Sequence, residues 1–124
     1  MSRQTLEQER AQNALSCAKQ FSSSDGDTKK YCSYVDRLGP AIVMNGLGKA
    51  LATEMAAANE HTTLYRNLEQ WLCRAEGGVF EGSKDLLSSM MNDEAQYLRA
   101  QVEALTWLEW HKKFCRALFK STDK

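Results

Sequence analysis

Apolar residues recur at helical spacing along most of the chain. The first such stretch predicts a helix over residues 5–21, with Ala14, Ala18 and Phe21 on one face. Thr5 and Gln8 match the capping-box pattern at its start, in which each side chain bonds the other residue's backbone N–H. The serine- and aspartate-rich segment 22–27 then predicts a loop.

Gly39 and Pro40 predict a break between the second and third helices. A residue before proline is pushed out of the helical region, so the second helix is expected over residues 28–38. Pro40 is well placed to start a third helix that runs to about residue 58, because its missing N–H has no cost there. The apolar faces of these two helices are predicted to carry Tyr31, Tyr34, Val35, Leu38, Met44, Leu47, Leu51 and Met55.

The second half of the chain predicts a helix over residues 60–75, a short helix around residues 86–91 and a long helix over residues 93–119. At 1.5 Å per residue the last helix would be roughly 40 Å long. Its core positions, and those of the helix over residues 60–75, are predicted to be Leu64, Leu68, Trp71, Leu72, Ala75, Leu98, Val102, Leu105 and Leu108.

The composition supports a helical fold. The chain has 14 Ala and 14 Leu against four Val and one Ile, so the residues that pack best in sheets are scarce. Its 124 residues fit one domain with one core. We therefore predict an all-α protein, a compact single-domain bundle of five or six helices over residues 1–124 with a long C-terminal helix.

Charge is distributed unevenly, although the net charge is zero. The end of the chain is basic, and Lys112, Arg116 and Lys120 recur every fourth residue with Lys113 beside them. These four residues are called the basic stripe below. Cations on one helix face can contact phosphates without reading sequence. They can equally be solvated cations that complement the helix C-terminus, and the pattern alone leaves both interpretations open.

The segment Asn45-Gly46-Leu47-Gly48 places two glycines inside a helical pattern, at about 1 kcal/mol each relative to alanine. One interpretation is close packing, since another helix or a partner backbone can approach where there is no Cβ. The other is phosphate contact, with Lys49 beside an accessible backbone. Packing is favoured, because Asn-Gly-Leu-Gly is not a phosphate-loop pattern.

Motifs for catalysis or metal binding are not found. His61 and His111 lie in different predicted helices outside any metal-binding spacing, and a surface position is favoured for His111. The four cysteines, at positions 17, 32, 73 and 115, are too far apart for a zinc site; Cys17, Cys32 and Cys115 have apolar neighbours and are expected to be buried, reduced thiols. We expect a non-enzymatic cytoplasmic protein with no cofactor, no metal and no membrane contact.

Three segments resemble the small subunit of the type III-B CRISPR effector, the Cmr complex. They are Arg10–Ala14, residues 31–52 with Asn-Gly-Leu-Gly, and residues 98–114, where Glu103-Ala104, Trp107 and Lys112-Lys113 match the family pattern. Gly39 between Leu38 and Pro40, Lys49 in place of a common Gln, and Lys113 in place of a frequent Arg depart from it.

The resemblance implies a non-catalytic subunit that stacks in several copies along the backbone subunits and contacts guide and target RNA. Its expected partners are the other Cmr subunits, copies of itself and RNA. The basic stripe is the first choice for RNA contact, followed by Lys49, Arg10 and Lys19. The alternative is a protein–protein adaptor of the same complex without RNA contact.

Overall fold

The computed structural model describes residues 4–119, which form six helices and no strand. The helices are α1 (Leu6–Ser22), α2 (Thr28–Asn45), α3 (Leu47–Ala56), α4 (Glu60–Leu72), α5 (Leu86–Ser89) and α6 (Glu94–Phe119). The prediction of an all-α bundle with a long C-terminal helix is confirmed. Thr5 caps α1, and the reciprocal bonds between Thr5 and Gln8 form the predicted capping box.

The long helix α6 lies between α1 and α2. Contacts pair Arg10 with Glu103 and Phe21 with Phe119, so α1 runs parallel to α6. Helix α2 runs the other way, because its start lies at the end of α6: the rings of Tyr31 and Phe119 are 6.3 Å apart. One end of the bundle therefore combines the end of α1, the start of α2 and the end of α6.

The core contains a hydrogen-bonded aromatic cluster. The Tyr31 ring stacks on Phe21 at 4.1 Å, and the His111 ring stacks on Trp107 at 4.3 Å. Tyr31 donates to His111 Nε2 at 2.7 Å, and Nδ1 of His111 donates to the Ala14 carbonyl at 2.9 Å. The expectation of a surface position for His111 is wrong: the residue has no exposed area, since both ring nitrogens find partners inside the bundle.

The predicted break at Gly39 and Pro40 is also wrong. Helix α2 continues through Pro40 to Asn45 and ends at Gly46, whose φ of 87° requires glycine. Proline inside a helix costs about 3 kcal/mol or more. Two features reduce or offset that cost: Gly39 has no Cβ to meet the proline ring, and Ile42, beyond the proline, is fully buried.

Several residues predicted to be core lie on the surface. The exposed ones are Met44, Met55, Ala75, Leu98 and Val102. On α6 the buried face is instead formed by Ala100, Ala104, Trp107, Leu108, His111, Cys115 and Phe119. Small alanines let α1 and α2 approach α6 closely, which turns Leu98 and Val102 outward.

Cys17, Cys73 and Cys115 are buried free thiols, and Cys32 is half-buried. Burial raises the pKa of Cys17 to about 11, so this thiol stays protonated and unreactive at neutral pH. Within residues 4–119, no helix is both long and apolar enough to span a bilayer.

Candidate nucleic-acid interface

The described part of the basic stripe lies on the outward side of the last turns of α6. The core face of this segment holds His111 and Cys115, and the cations project from the other sides. Lys113 and Arg116 are exposed, and Lys112 is half-buried. Lys120 lies outside the described residues.

Two cations of the stripe take part in surface ion pairs. Lys112 Nζ lies 3.3 Å from Glu109, and Arg116 lies 3.1 Å from Asp36 on α2. The Arg116 side chain is 59% exposed and Glu109 is 67% exposed. Exposed pairs of this kind are worth about 0–1 kcal/mol, so a phosphate can compete for either cation.

The fold brings Lys19 to the same end of the bundle as Arg116, because α1 runs parallel to α6 and ends beside Phe119. Lys19 is exposed in the last turn of α1. The first turn of α2 adds the exposed Lys29 and Lys30 at this end. Sequence reasoning missed these two, since only the antiparallel pairing of α2 with α6 places them there.

The other two residues expected to contact RNA, Lys49 and Arg10, lie away from this end of the bundle. Lys49 is exposed in the first turn of α3, which contacts Tyr97 near the start of α6. Tyr97 and Arg116 are separated by 19 positions of one helix, which is about 28 Å along its axis. Arg10 lies in the second turn of α1 beside Glu103, and its guanidinium group is used inside the chain.

Arg10 forms a two-bond ion pair with Glu103, at 2.5 and 2.8 Å, and both side chains are less than 15% exposed. Trp71 Nε1 donates to the same carboxylate at 2.9 Å. Burial alone would raise the pKa of Glu103, but the hydrogen bonds from Arg10 and Trp71 outweigh it and lower that pKa. The cluster ties α1 and α4 to α6.

The Asn45–Gly48 segment forms the junction between α2 and α3, and α6 packs directly against it. Gly48 N–H donates to the Tyr97 hydroxyl at 2.8 Å, and Leu47 N–H donates to Gln101 at 3.0 Å. These side chains satisfy two N–H groups at the start of α3. A Cβ on Gly46 would lie 3.2 Å from the Tyr97 hydroxyl, which is tighter than an ordinary contact, whereas a Cβ on Gly48 would make an ordinary contact at 3.4 Å.

Among residues 4–119 there is no group of three or more His, Cys, Asp or Glu side chains that could hold a metal ion. Comparison with known protein families indicates the function more strongly than the side-chain geometry does. The family model described as CRISPR-associated protein (Cas_Cmr5) matches residues 6–118. The chain belongs to the Cas_Cmr5 family.

A solved structure agrees with this assignment. The crystal structure of a CRISPR-associated Cmr5 family protein from Thermus thermophilus is 26% identical in sequence, with a TM-score of 0.77. The match covers 94% of this chain and 98% of that protein. The resemblance to the small subunit of the type III-B Cmr complex is thereby confirmed, and Cas_Cmr5 membership makes the chain a subunit of that CRISPR effector type.

Proposed function

We propose that this chain is a non-catalytic subunit of a cytoplasmic Cmr effector and contacts guide and target RNA through the end of the bundle that carries the basic stripe. Membership of the Cas_Cmr5 family supports a role in the complex. The observation that favours RNA contact is the gathering of Lys112, Lys113 and Arg116 with Lys19 at one end of the fold.

The chemistry of this surface suits a phosphate backbone. Lysine is a flexible point charge, and Arg116 can bond two phosphate oxygens at once. Cations of this kind position a nucleic acid without reading its bases. Sequence recognition is then left to pairing between guide and target, as in other guide-directed complexes.

Several copies are proposed to line up along the backbone subunits and to act together. The chain has no net charge, so a single copy should hold free RNA weakly. Copies held along one RNA would bind it more strongly, because each later contact forms within the same assembly. The proposed contact set leaves out Arg10, whose guanidinium already bonds Glu103.

An adaptor role without RNA contact is the second candidate. The ion pairs of Lys112 with Glu109 and of Arg116 with Asp36 favour it, since part of the positive charge is matched within the chain. In that case the cations would only keep the surface soluble, and the complex would bind target RNA equally well without them.

The two candidates are separated by the double variant Lys113→Gln and Arg116→Gln in the assembled complex with its guide RNA. Target-RNA affinity is measured over a range of salt concentrations. Neutral glutamine removes charge without adding repulsion. RNA contact predicts weaker binding at low salt, with a slope of log affinity against log salt shallower by about 1.5 per copy for two lost phosphate contacts.

The matched control is Arg66→Gln with Lys84→Gln. Both control residues are exposed, and Arg66 pairs with Glu69 at 2.7 Å much as Arg116 pairs with Asp36. If test and control variants bind target RNA with the same affinity and the same salt slope, the adaptor role is correct and RNA contact by this surface is excluded.

A further inference from the structure

A pair of half-buried aromatic side chains lies beside the basic stripe on α6. The rings of Trp110 and Phe114 stack on each other, with their centroids 5.6 Å apart and their planes 21° from parallel. They are neighbours on the helix surface, because Phe114 follows Trp110 by one turn. Both rings pack against the core, and each remains partly exposed. Part of this aromatic surface is therefore open to a ligand.

The indole N–H of Trp110 distinguishes it from the other two tryptophans. Trp71 donates to Glu103 and Trp107 donates to Asn13, both at 2.9 Å, and both rings are almost fully buried. Trp110 is only half-buried, and its indole N–H has no acceptor within residues 4–119. Since the indole N–H can only donate, a bound molecule can supply the acceptor that the described part of the chain does not.

A free cation lies next to the aromatic pair. Trp107, one turn before Trp110, bonds Asn13 of α1, so the pair lies on the side of α6 that faces α1. Lys113 is three residues after Trp110 and neighbours it on the outward side of the helix, where it is exposed. In the part of the chain that the structure describes, Lys113 takes part in no ion pair. Its charge is therefore available to an anion that also touches Trp110.

Acidic side chains are scarce around the pair. Glu109 is the one acid of α6 after residue 103. It bonds Lys112, and both line a groove against α2, on the other side of the helix. The aromatic pair thus has a positive neighbour and no unmatched negative one on α6. This combination suits a nucleotide, which joins a flat base to an anionic phosphate.

We propose that Trp110, supported from one side by Phe114, stacks on an unpaired base of the target RNA while Lys113 holds a neighbouring phosphate. The inference rests on the proposed RNA contact and adds the chemical group that is bound. Only a base that is free of its duplex neighbours can present a face to a side chain. Stacking of this kind adds affinity without reading sequence, because every base has such a face.

The first test locates the contact in the wild-type chain. Target RNAs carry 5-iodouridine at one position at a time, and each is bound by the assembled complex with its guide RNA. On irradiation this base cross-links to an aromatic side chain that stacks on it. Mass spectrometry should find a cross-link to Trp110 or Phe114 for at least one position. Absence of both cross-links at every position would exclude the stacking.

The second test measures target-RNA affinity over a range of salt concentrations. Trp110→Leu should weaken binding about tenfold at every concentration, because the loss of stacking releases no counterions and leaves the salt slope unchanged. Trp110→Phe should recover most of the loss. Tyr34→Leu is the matched control and should bind as the wild type does, since the half-buried Tyr34 ring already stacks on His61 at 3.5 Å. Circular dichroism checks the folding of each variant, and the cross-linking test decides alone if Trp110→Leu does not fold.

A third test joins the protein change to the RNA change. An abasic nucleotide at the cross-linked position should weaken binding to the wild type by the same factor as Trp110→Leu. Combined with Trp110→Leu, it should cause no further loss, because both changes remove one contact. Losses that multiply would show that Trp110 and this base act independently, which would exclude the stacking.

The outcomes distinguish this inference from the proposed function. If Trp110→Leu binds as the wild type does whereas Lys113→Gln with Arg116→Gln weakens binding, phosphate contact stands and the stacking is excluded. A loss for Trp110→Leu that is confined to low salt would also exclude the stacking, since it would be electrostatic. If folded Trp110→Leu no longer enters the complex, the aromatic pair is a protein contact and the inference is wrong.

Discussion

His111 is kept neutral by its burial in the core, and its hydrogen bonds fix which ring nitrogen carries the single proton. The Ala14 carbonyl can only accept, so Nδ1 of the ring carries the proton, and Nε2 is left to accept from the Tyr31 hydroxyl. Asn67 completes the chain by donating to Tyr31 at 2.9 Å. A second proton on Nε2 would force the Tyr31 hydroxyl to turn its own hydrogen away, and that hydrogen would lose the acceptor it has on the neutral ring.

This arrangement makes stability depend on pH. Burial lowers the pKa of His111 to about 4 from an ordinary value of 6.5, so the unfolded chain binds the extra proton more readily than the folded chain. The neutral His111 ring therefore contributes fully to the free energy of unfolding above pH 6.5, and this contribution is lost as the pH falls toward 4. From pH 7 to pH 4 the free energy of unfolding should fall by about 3 kcal/mol from this residue alone.

The measurement is urea denaturation at several pH values for the wild type and for His111→Phe. The variant should be less stable at pH 7 but should lack this part of the acid loss, whereas His61→Gln should retain it. Proton NMR gives a direct check, since the His111 ring should not titrate between pH 8 and pH 5. A ring that titrates near pH 6.5 would show that His111 is not sealed in the core.

Sequence could identify His111 only as a histidine in a basic, aromatic segment. Its burial depends on Ala14 and Tyr31, which lie in two other helices and are far away in sequence. The same limit applies to Arg10: its charge suggested RNA contact, but Glu103 on α6 occupies its guanidinium. Side-chain partners between helices follow from the packing, and a periodic pattern does not specify them.

Gly39 and Pro40 act together to keep α2 continuous. The proline ring restricts the preceding residue mainly through that residue's Cβ, and Gly39 has none. A Cβ at Gly39 would otherwise meet open space, since no atom lies within 4 Å of that position apart from its chain neighbours and the nearby backbone of α2 itself. The effect of Gly39→Ala therefore isolates its interaction with Pro40.

We expect a clear coupling in a double-mutant cycle on these two residues. In a Pro40→Ala background, Gly39→Ala should stabilise the fold by about 0.5–1 kcal/mol, the usual gain from alanine inside a helix. With Pro40 present the same change should give no gain or a loss. Thermal and urea denaturation measure both effects, and an equal gain in the two backgrounds would show that Gly39 has no part in accommodating the proline.

Helix number and type were predictable because periodic apolar positions and loop residues are local signals. The predicted break at Pro40 is wrong because the rule for residues before proline considers only local sterics. It does not include the stabilisation from burying Leu38 and Ile42 on either side of the proline. On α6 the sequence offers two apolar stripes, and the stripe with the larger residues predicts Leu98 and Val102 as core. The core uses the stripe with Ala100 and Ala104, since small residues allow closer helix packing.

Across the molecule, the two halves of α6 face outward with different chemistry. The first half presents the exposed apolar side chains of Leu98 and Val102, and the second presents Lys113 and Arg116. The topology then adds Lys19 to the cationic end and leaves Lys49 about 28 Å away. The sequence therefore indicated the basic stripe, but which other cations join it depends on the order and direction of the helices.

Contact between this surface and RNA can be measured directly by lysine acetylation of the assembled complex, with and without a target RNA complementary to the guide. Mass spectrometry compares Lys112 and Lys113 with Lys84, an exposed lysine on a distant loop. RNA contact predicts that target RNA protects Lys112 and Lys113 and leaves Lys84 unchanged. Equal modification of all three lysines in both states would contradict it.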